Sequence, residues 1–190
     1  MSNNYNRRYS NYNRVTKIKV KELDLEVVKP ERAGVVLYCT YKKQTYFYFG
    51  LHFGTHDLTD FGGGVKYSKY NEDVIDGALR ELDEEILGII DPQINKKQVL
   101  EFPVLYDNKN LILFIRINLE NPDDLPKAYN KRYQSKKSFE SKDEISSEPE
   151  ICGITLLTWE QLQISLSKED VLYSRVKRFL NNAGDFSYLL

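Results

Sequence analysis

The feature that most constrains the fold of this chain is a glycine turn followed closely by a helix crowded with acids. Gly62, Gly63 and Gly64 permit backbone conformations and close approaches that other residues resist. The acids downstream have the spacing of one helical face, because residues three and four apart are neighbours on a helix. Carboxylates this close repel one another unless a cation lies between them, and Mg²⁺ binds several oxygen ligands. The stretch therefore predicts a metal-binding cluster of converging carboxylates, namely Glu81, Glu84 and Glu85.

This stretch resembles the Nudix box, the signature of the Nudix hydrolases. The match consists of Glu72, a gap of seven residues, and then Arg80-Glu81-Leu82-Asp83-Glu84-Glu85. The interval from Gly64 to Glu72 is two residues longer than the family spacing, and the closing residues 86–89 are one residue longer. Neither departure lies between Arg80 and Glu85, so the metal-binding part of the box, residues 62–89, is expected to be intact. The alternative is an ordinary solvated acidic helix face.

The resemblance implies both a fold and a reaction. The fold would be α/β, a Nudix-type α/β/α sandwich with a mixed β-sheet, and a weaker likeness in strand order extends over about residues 31–180. The reaction would be metal-dependent hydrolysis of a pyrophosphate bond in a nucleoside diphosphate linked to another group. Cations neutralise diphosphate oxygens that would otherwise repel the attacking water. Mg²⁺ or Mn²⁺ is thus the expected cofactor.

The resemblance also implies roles for individual residues. Arg80 would point away from the metal face, pair with Glu72 and orient the helix. In many family members a glutamate from a later loop joins the metal site or acts as base, and the spacing of Glu144, Glu148 and Glu150 does not choose among them. The implied metal ligands are the Gly63 carbonyl, Glu81, Glu84 and Glu85, and the implied catalytic set is Glu81, Glu84, Glu85, Arg80 and Glu148.

Composition predicts one domain with a tail. The chain has 190 residues and a formal net charge of −1, so its overall charge does not identify a partner. Residues 1–21 are rich in Tyr and Asn, with six basic residues and no acid between Arg7 and Lys21, and are expected to be flexible. Residues 22–190 would form the catalytic domain. No apolar signal core or membrane-length apolar run is present, and two free cysteines favour a reducing, cytoplasmic location.

Local patterns predict the main elements. Strands are expected at residues 33–40, 44–51, 99–106, 111–118 and 153–157, because these runs are short and rich in β-branched and aromatic residues. The acidic helix would be capped by Asn71 and run to about Leu87, with Gly88 ending it. Thr158 would cap a helix starting at Trp159, and a final amphipathic helix would cover residues 170–180.

Residues 121–150 form a long polar insertion, basic at first and acidic at its end. Segments of this length inside a domain are functional or disordered, so a mobile insertion and a substrate-facing lid are both open. Tyr129 and Tyr133 lie among the basic residues, and rings beside cations are typical of single-stranded nucleic-acid binding. The predicted substrate-binding residues are Lys131, Arg132 and Lys136.

Several substrates remain open at this stage. The basic segments favour a long anion, namely the 5′ cap of mRNA, so RNA is a candidate partner. Free nucleotides, dinucleotides and diphosphoinositol phosphates are the alternatives. A non-catalytic binding module with the same fold is the competing class, although such modules typically lose box acids that this chain retains. His52 and His56 have no third ligand at suitable spacing, which disfavours zinc, although one of them could contact substrate.

Overall fold

The computed structural model describes residues 14–90, 96–139 and 150–190. Its strands form one mixed sheet of eight members. They are β1 (Thr16–Lys19), β2 (Arg32–Tyr41), β3 (Gln44–His52), β4 (Leu58–Thr59), β5 (Phe61–Gly64), β6 (Pro103–Tyr106), β7 (Asn110–Arg116) and β8 (Ile151–Thr158). The order is β1-β6-β7-β2-β3-β4, with β5 also paired to β2 and β8 to β3. Strands β2 and β7 run parallel, and the other pairs are antiparallel.

Strands β2 and β3 begin as a hairpin and then diverge. They pair only near their connection, from Leu37 to Tyr41 on β2. Further from the turn, the first half of β2 pairs with β5 and the second half of β3 pairs with β4. The short β4–β5 segment therefore fills the gap between the two strands. This gap positions the candidate site.

Helices cover both faces of the sheet. They are α1 (Tyr67–Tyr70), α2 (Val74–Glu85), α3 (Lys96–Val99), α4 (Asp124–Phe139), α5 (Trp159–Ser167) and α6 (Ser174–Ala183), with 3₁₀ turns at Val20–Glu22 and Ser187–Leu189. Alternate β2 side chains face opposite layers, as the period of a strand requires. Val35 and Leu37 join the apolar cluster of α2 and α4, whereas Val36 and Tyr38 join that of α5 and α6. The predicted α/β/α sandwich with a mixed sheet is confirmed.

Several predicted boundaries differ from the structure. Residues 16–19 were expected in the flexible N-terminal segment but form an edge strand on β6, while residues 1–13 lie outside the described residues. The cap of α2 is Asp73, whose carboxylate accepts hydrogen bonds from the Ile75 and Asp76 amides at 2.9 and 2.8 Å, and Asn71 instead adopts a left-handed conformation. The predicted strand at 99–106 begins only at Pro103, and the last helix begins at Ser174. Thr158 caps α5 as predicted.

The polar insertion is the largest departure from the sequence prediction. Residues 124–139 form α4, and Leu125, Tyr129 and Tyr133 are buried at successive intervals of four residues. The Tyr129 hydroxyl donates to the Ile151 carbonyl at 2.7 Å, and its ring stacks on Tyr133 with centroids 6.0 Å apart. Both rings thus belong to the core, and the prediction that they stack on nucleic acid is wrong. Residues 140–149, including Glu144 and Glu148, lie outside the described residues.

A membrane-spanning element is not found in the part of the chain that the structure describes, where no helix is both long and apolar enough to cross a bilayer.

Candidate functional site

A buried ion pair lies where β2 and β3 diverge. Arg32 donates to both oxygens of Asp60, with nitrogen–oxygen distances of 2.6 and 2.9 Å, and to the Gly62 carbonyl at 2.8 Å. Asp60 is completely buried and Arg32 is 8% exposed. Gly34 lies against the pair, and any side chain there would collide with the Asp60 carboxylate. Sequence analysis missed this pair because an isolated arginine and an isolated aspartate 28 residues apart form no local pattern.

Glu85, near the end of α2, faces this ion pair. One of its oxygens accepts a hydrogen bond from the Gly62 amide at 2.8 Å. Burial, followed by the nearby charge of Asp60, raises the pKa of Glu85 to about 9. Glu150 contributes in the same direction, while the Gly62 hydrogen bond and Arg32 oppose the shift. Glu85 is therefore protonated more readily than an exposed glutamate.

Arg80 links the glycine segment to the acids of α2. Its Nε donates to Glu72 at 2.6 Å, and its Nη2 donates to the Gly64 carbonyl at 3.1 Å. Its Nη1 lies 2.7 Å from Glu81 and 3.2 Å from Glu84. The predicted Arg80–Glu72 pair is present. Arg80 was predicted to point away from the metal face, but in this conformation its guanidinium also contacts two of the candidate metal ligands.

The candidate metal ligands adjoin one another without forming an assembled site. A Cβ on Gly63 would lie 2.6 Å from the Glu81 carboxylate, so the glycine and this side chain are in close contact. The Glu84 side chain is 55% exposed, whereas that of Glu81 is 14% exposed. Within residues 14–90, 96–139 and 150–190, no three His, Cys, Asp or Glu side chains are grouped so that they could hold a metal ion. The three carboxylates therefore do not converge in this conformation, contrary to the sequence prediction.

A pocket of about 210 Å³ opens beside Glu85. Its wall includes Arg32 from β2, Gly62 from β5 and Glu150, the residue before β8. Glu150 is held there because its carbonyl accepts a hydrogen bond from the Phe53 amide at 2.8 Å. Of the three late glutamates considered from sequence, Glu150 is the one within the described residues, and it lies at the site.

Basic and aromatic side chains also line the pocket. It contains His52, Tyr173 and Arg175. The segment before α6 pairs with β4, since the Tyr173 amide donates to the Leu58 carbonyl at 2.8 Å. The Tyr173 ring lies 5.8 Å from the His52 ring and 5.4 Å from the Arg175 guanidinium carbon. Sequence analysis missed Arg175, because a basic residue in a C-terminal amphipathic helix is ordinarily a surface charge.

The predicted substrate-binding residues lie on α4. Lys131, Arg132 and Lys136 are all exposed. Arg132 and Lys136 lie three and seven residues after the buried Tyr129, so they flank its face of the helix, whereas Lys131 lies on the other side. The pKa of Tyr129 is raised mainly by burial and, more weakly, by Tyr133, Cys152 and Glu85. This electrostatic influence indicates that α4 lies near the acidic end of α2. None of the three basic residues is among those that line the pocket.

Comparisons with known proteins give a distant likeness in fold. No family model matches the sequence, and no curated protein matches it. A crystal structure of C. elegans Ap4A hydrolase is similar at 18% identity and a TM-score of 0.43, over 84% of this chain and 97% of that one. A binary complex of C. elegans Ap4A hydrolase gives 17% identity and a TM-score of 0.44, over 85% and 100%.

We expect Arg80→Ala to lower stability as well as any activity of the site. The substitution leaves the Glu72 carboxylate, only 10% exposed, without its closest cation. Hydrogen bonds to charged groups are worth about 1.5–3 kcal/mol, so a loss on the order of 2 kcal/mol is expected in chemical denaturation. Arg80→Lys should recover only part of it, because an ammonium lacks the planar fork that reaches Glu72, Gly64 and Glu84 together. A variant as stable as the wild type would contradict this positioning role.

Proposed function

We propose that the protein is a metal-dependent Nudix pyrophosphohydrolase that cleaves a nucleoside diphosphate-linked substrate. The observation that carries the proposal is the packing of the acidic face of α2 against the glycine segment of β5, beside a polar pocket. Glu81 lies against Gly63, Glu85 accepts the Gly62 amide, and Arg80 joins Glu72 to the Gly64 carbonyl. These are the positions that match the Nudix box.

The residues present suit a hard divalent cation. Mg²⁺ and Mn²⁺ take oxygen ligands, and Glu81, Glu84, Glu85 and the Gly63 carbonyl offer only oxygens. Burial and then the charge of Asp60 raise the pKa of Glu85, and a bound cation would favour its ionised form. When bound, the cation would neutralise phosphate oxygens and activate water. For Glu81 and Glu84 to act as ligands, their carboxylates must turn from Arg80.

Three residues of the protein would have separate roles in the reaction. Arg80, as a positioning residue, would hold α2 in register with β5. Glu85 keeps its second oxygen free of the Gly62 amide, so that oxygen is available to a ligand. Glu150, at the pocket rim, is suited to act as a general base, because its carboxylate faces the same cavity as Glu85. We extend the base assignment to Glu150 alongside Glu148, whose position lies outside the described residues.

The decisive experiment is a substrate panel with Mg²⁺ and Mn²⁺. It would contain capped RNA, nucleoside triphosphates, dinucleoside polyphosphates, nucleotide sugars and diphosphoinositol phosphates. Metal-dependent release of a phosphate-containing product from any member supports the proposal and identifies the substrate class. Tight binding of one member without turnover under either metal would instead favour the non-catalytic binding module.

Capped RNA is the second candidate substrate, because α4 carries exposed basic residues. Lys131, Arg132 and Lys136 are solvent-accessible on a helix anchored to β8. The N-terminal lysines are less available to bind RNA phosphates than their number suggests. Lys19 and Lys21 both pair with Glu101, and Lys17 donates to the Ala183 and Asp185 carbonyls. The exposed basic residues of α4 are therefore the better-supported contacts for an RNA backbone.

If α4 contacts RNA phosphates, Lys131→Gln/Arg132→Gln should raise the KM for capped RNA and leave hydrolysis of small nucleotides nearly unchanged. The salt dependence of RNA binding should also become shallower by about 0.7 per lost phosphate contact on a log–log plot. The matched control is Lys42→Gln/Lys43→Gln, which removes the same charge at the β2–β3 hairpin, away from the diverging ends of the strands. Equal effects of the two double variants would remove α4 from substrate binding.

A further inference from the structure

Arg175 is a partly buried arginine in the candidate active-site pocket. It lies in α6, outside the region of box resemblance, and lines the same cavity as Glu85. Its Nε is buried and has no hydrogen-bond partner within the described part of the chain. The Arg32 guanidinium nearby is already engaged with both oxygens of Asp60.

The surroundings of Arg175 disfavour an uncompensated cation. Burial, followed by the like charge of Arg32, lowers the pKa of Arg175, with Asp60 and Glu85 acting weakly in the opposite direction. An anion in the pocket would favour the charged form of Arg175. Stacking on Tyr173, at 5.4 Å, restrains the guanidinium. A held planar fork is the form in which arginine binds phosphate oxygens in a bidentate manner.

The size and lining of the pocket restrict what that anion can be. Its volume of about 210 Å³ far exceeds the ~30 Å³ share of one water molecule, so a ligand group fits. Pockets that enclose a whole drug-sized ligand are typically about 300–1,000 Å³, so a complete nucleotide would not be enclosed. The lining is mainly polar, with Arg32, Arg175 and His52 facing Glu85 and Glu150. A phosphate group at one end of a longer substrate fits both the volume and the polar lining of the pocket.

We propose that Arg175 binds a phosphate group of the substrate in this pocket, so that α6 supplies a recognition residue to the site built by α2 and β5. The inference rests on the proposed function for the identity of the substrate and on the pocket for the anion itself. Glu85 and Glu150 would repel a bare phosphate. Binding should therefore strengthen when Mg²⁺ is present, if the box acids hold the cation.

The test uses the full chain and inorganic pyrophosphate as the probe, followed by isothermal titration calorimetry with and without Mg²⁺. Arg175→Gln should weaken binding by about 10–100-fold, the size expected for hydrogen bonds to a charged group. Arg175→Lys keeps the charge but not the fork and should fall between Arg175→Gln and wild type. Arg178→Gln is the matched control, since Arg178 is an exposed arginine of the same helix, and its affinity should equal that of the wild type. Circular dichroism would establish that each variant is folded.

The outcomes separate this inference from the proposed function. Equal pyrophosphate affinity in Arg175→Gln and wild type, or no binding by the wild type, would overturn the Arg175 subsite even if a panel substrate is hydrolysed. Loss of binding in Arg175→Gln with no turnover of any panel substrate would support the subsite and contradict the hydrolase. If both hold, Arg175→Gln should raise the KM of the identified substrate by a similar factor, with a smaller effect on kcat.

Discussion

Glu85→Gln is expected to lower turnover by more than about 100-fold while making the metal-free protein more stable. The loss of activity should exceed the roughly 10–100-fold that residues supporting a metal site contribute, because Glu85 is a candidate ligand itself. The gain in stability follows from its surroundings. Burial and the nearby Asp60 charge penalise an ionised carboxylate, while a neutral amide oxygen can still accept the Gly62 amide. Activity and stability would thus change in opposite directions.

The stability of the metal-free protein should depend on pH, and the direction of that dependence follows from the pKa of Glu85. The pKa of Glu85 is raised from 4.5 to about 9 on folding, so the folded protein binds this proton more tightly than the unfolded chain. Its contribution is fully present below about pH 4.5 and is lost as the pH rises towards 9. The free energy of unfolding should therefore fall by up to about 1.4 kcal/mol per pH unit across that window. In Glu85→Gln this contribution should be absent.

The measurement is thermal unfolding in a chelator from about pH 5 to pH 9, paired with turnover of the substrate that the panel identifies. Asp83→Asn is the matched control, since Asp83 is an exposed acid of the same helix. It should leave the rate, the melting temperature and its pH dependence close to wild type. A Glu85→Gln variant that behaves like Asp83→Asn in both assays would remove Glu85 from the site.

Local patterns were sufficient to predict the acidic helix and most strands. The helix α2 is defined by charges and apolar residues within a dozen positions, and β2 and β3 are short β-branched and aromatic runs joined by a tight turn. The Arg80–Glu72 contact could also be anticipated, because both residues fall on matched positions of the box. What the sequence could not supply was the orientation of each carboxylate. Arg80 draws Glu81 and Glu84 towards itself, so the predicted convergence is absent.

The helix α4 is an element that amino-acid composition did not predict. Its sequence is polar and basic, which favours a loop, yet three apolar or aromatic positions spaced by four residues were present in the chain. Burying two tyrosine rings and satisfying the Tyr129 hydroxyl at Ile151 outweighs the polar remainder of the helix. A periodicity test on Leu125, Tyr129 and Tyr133 would have predicted the helix.

The residues that complete the site come from distant parts of the chain. Arg32, Asp60, Glu150 and Arg175 meet only because β2 and β3 diverge and because the segment before α6 pairs with β4. None of these residues belongs to a motif. Their encounter depends on sheet topology, which fixes contacts across more than a hundred positions. Such contacts follow from the assembled fold and not from any local window of sequence.

The second large effect is expected at the buried Arg32–Asp60 pair. Asp60→Asn should reduce the free energy of unfolding by about 3–5 kcal/mol, because it leaves the Arg32 charge buried beside a neutral partner. Glu85 can partly compensate for the lost charge of Asp60. With Asp60 neutralised, the like charge that helps to raise the pKa of Glu85 disappears, so Glu85 can ionise and offset Arg32. The cost should therefore be larger in Asp60→Asn/Glu85→Gln than the sum of the two single changes.

A double-mutant cycle in urea measures this coupling directly. The matched control is Glu101→Gln, which breaks the exposed pairs with Lys19 and Lys21 and should cost no more than about 1 kcal/mol. Arg32→Met/Asp60→Leu should be less destabilised than either single variant, since removing both charges leaves no buried ion unpaired. If Asp60→Asn costs no more than Glu101→Gln, the pair does not hold the diverging strands together. If the cycle is additive, Glu85 does not exchange charge with Asp60 across the pocket.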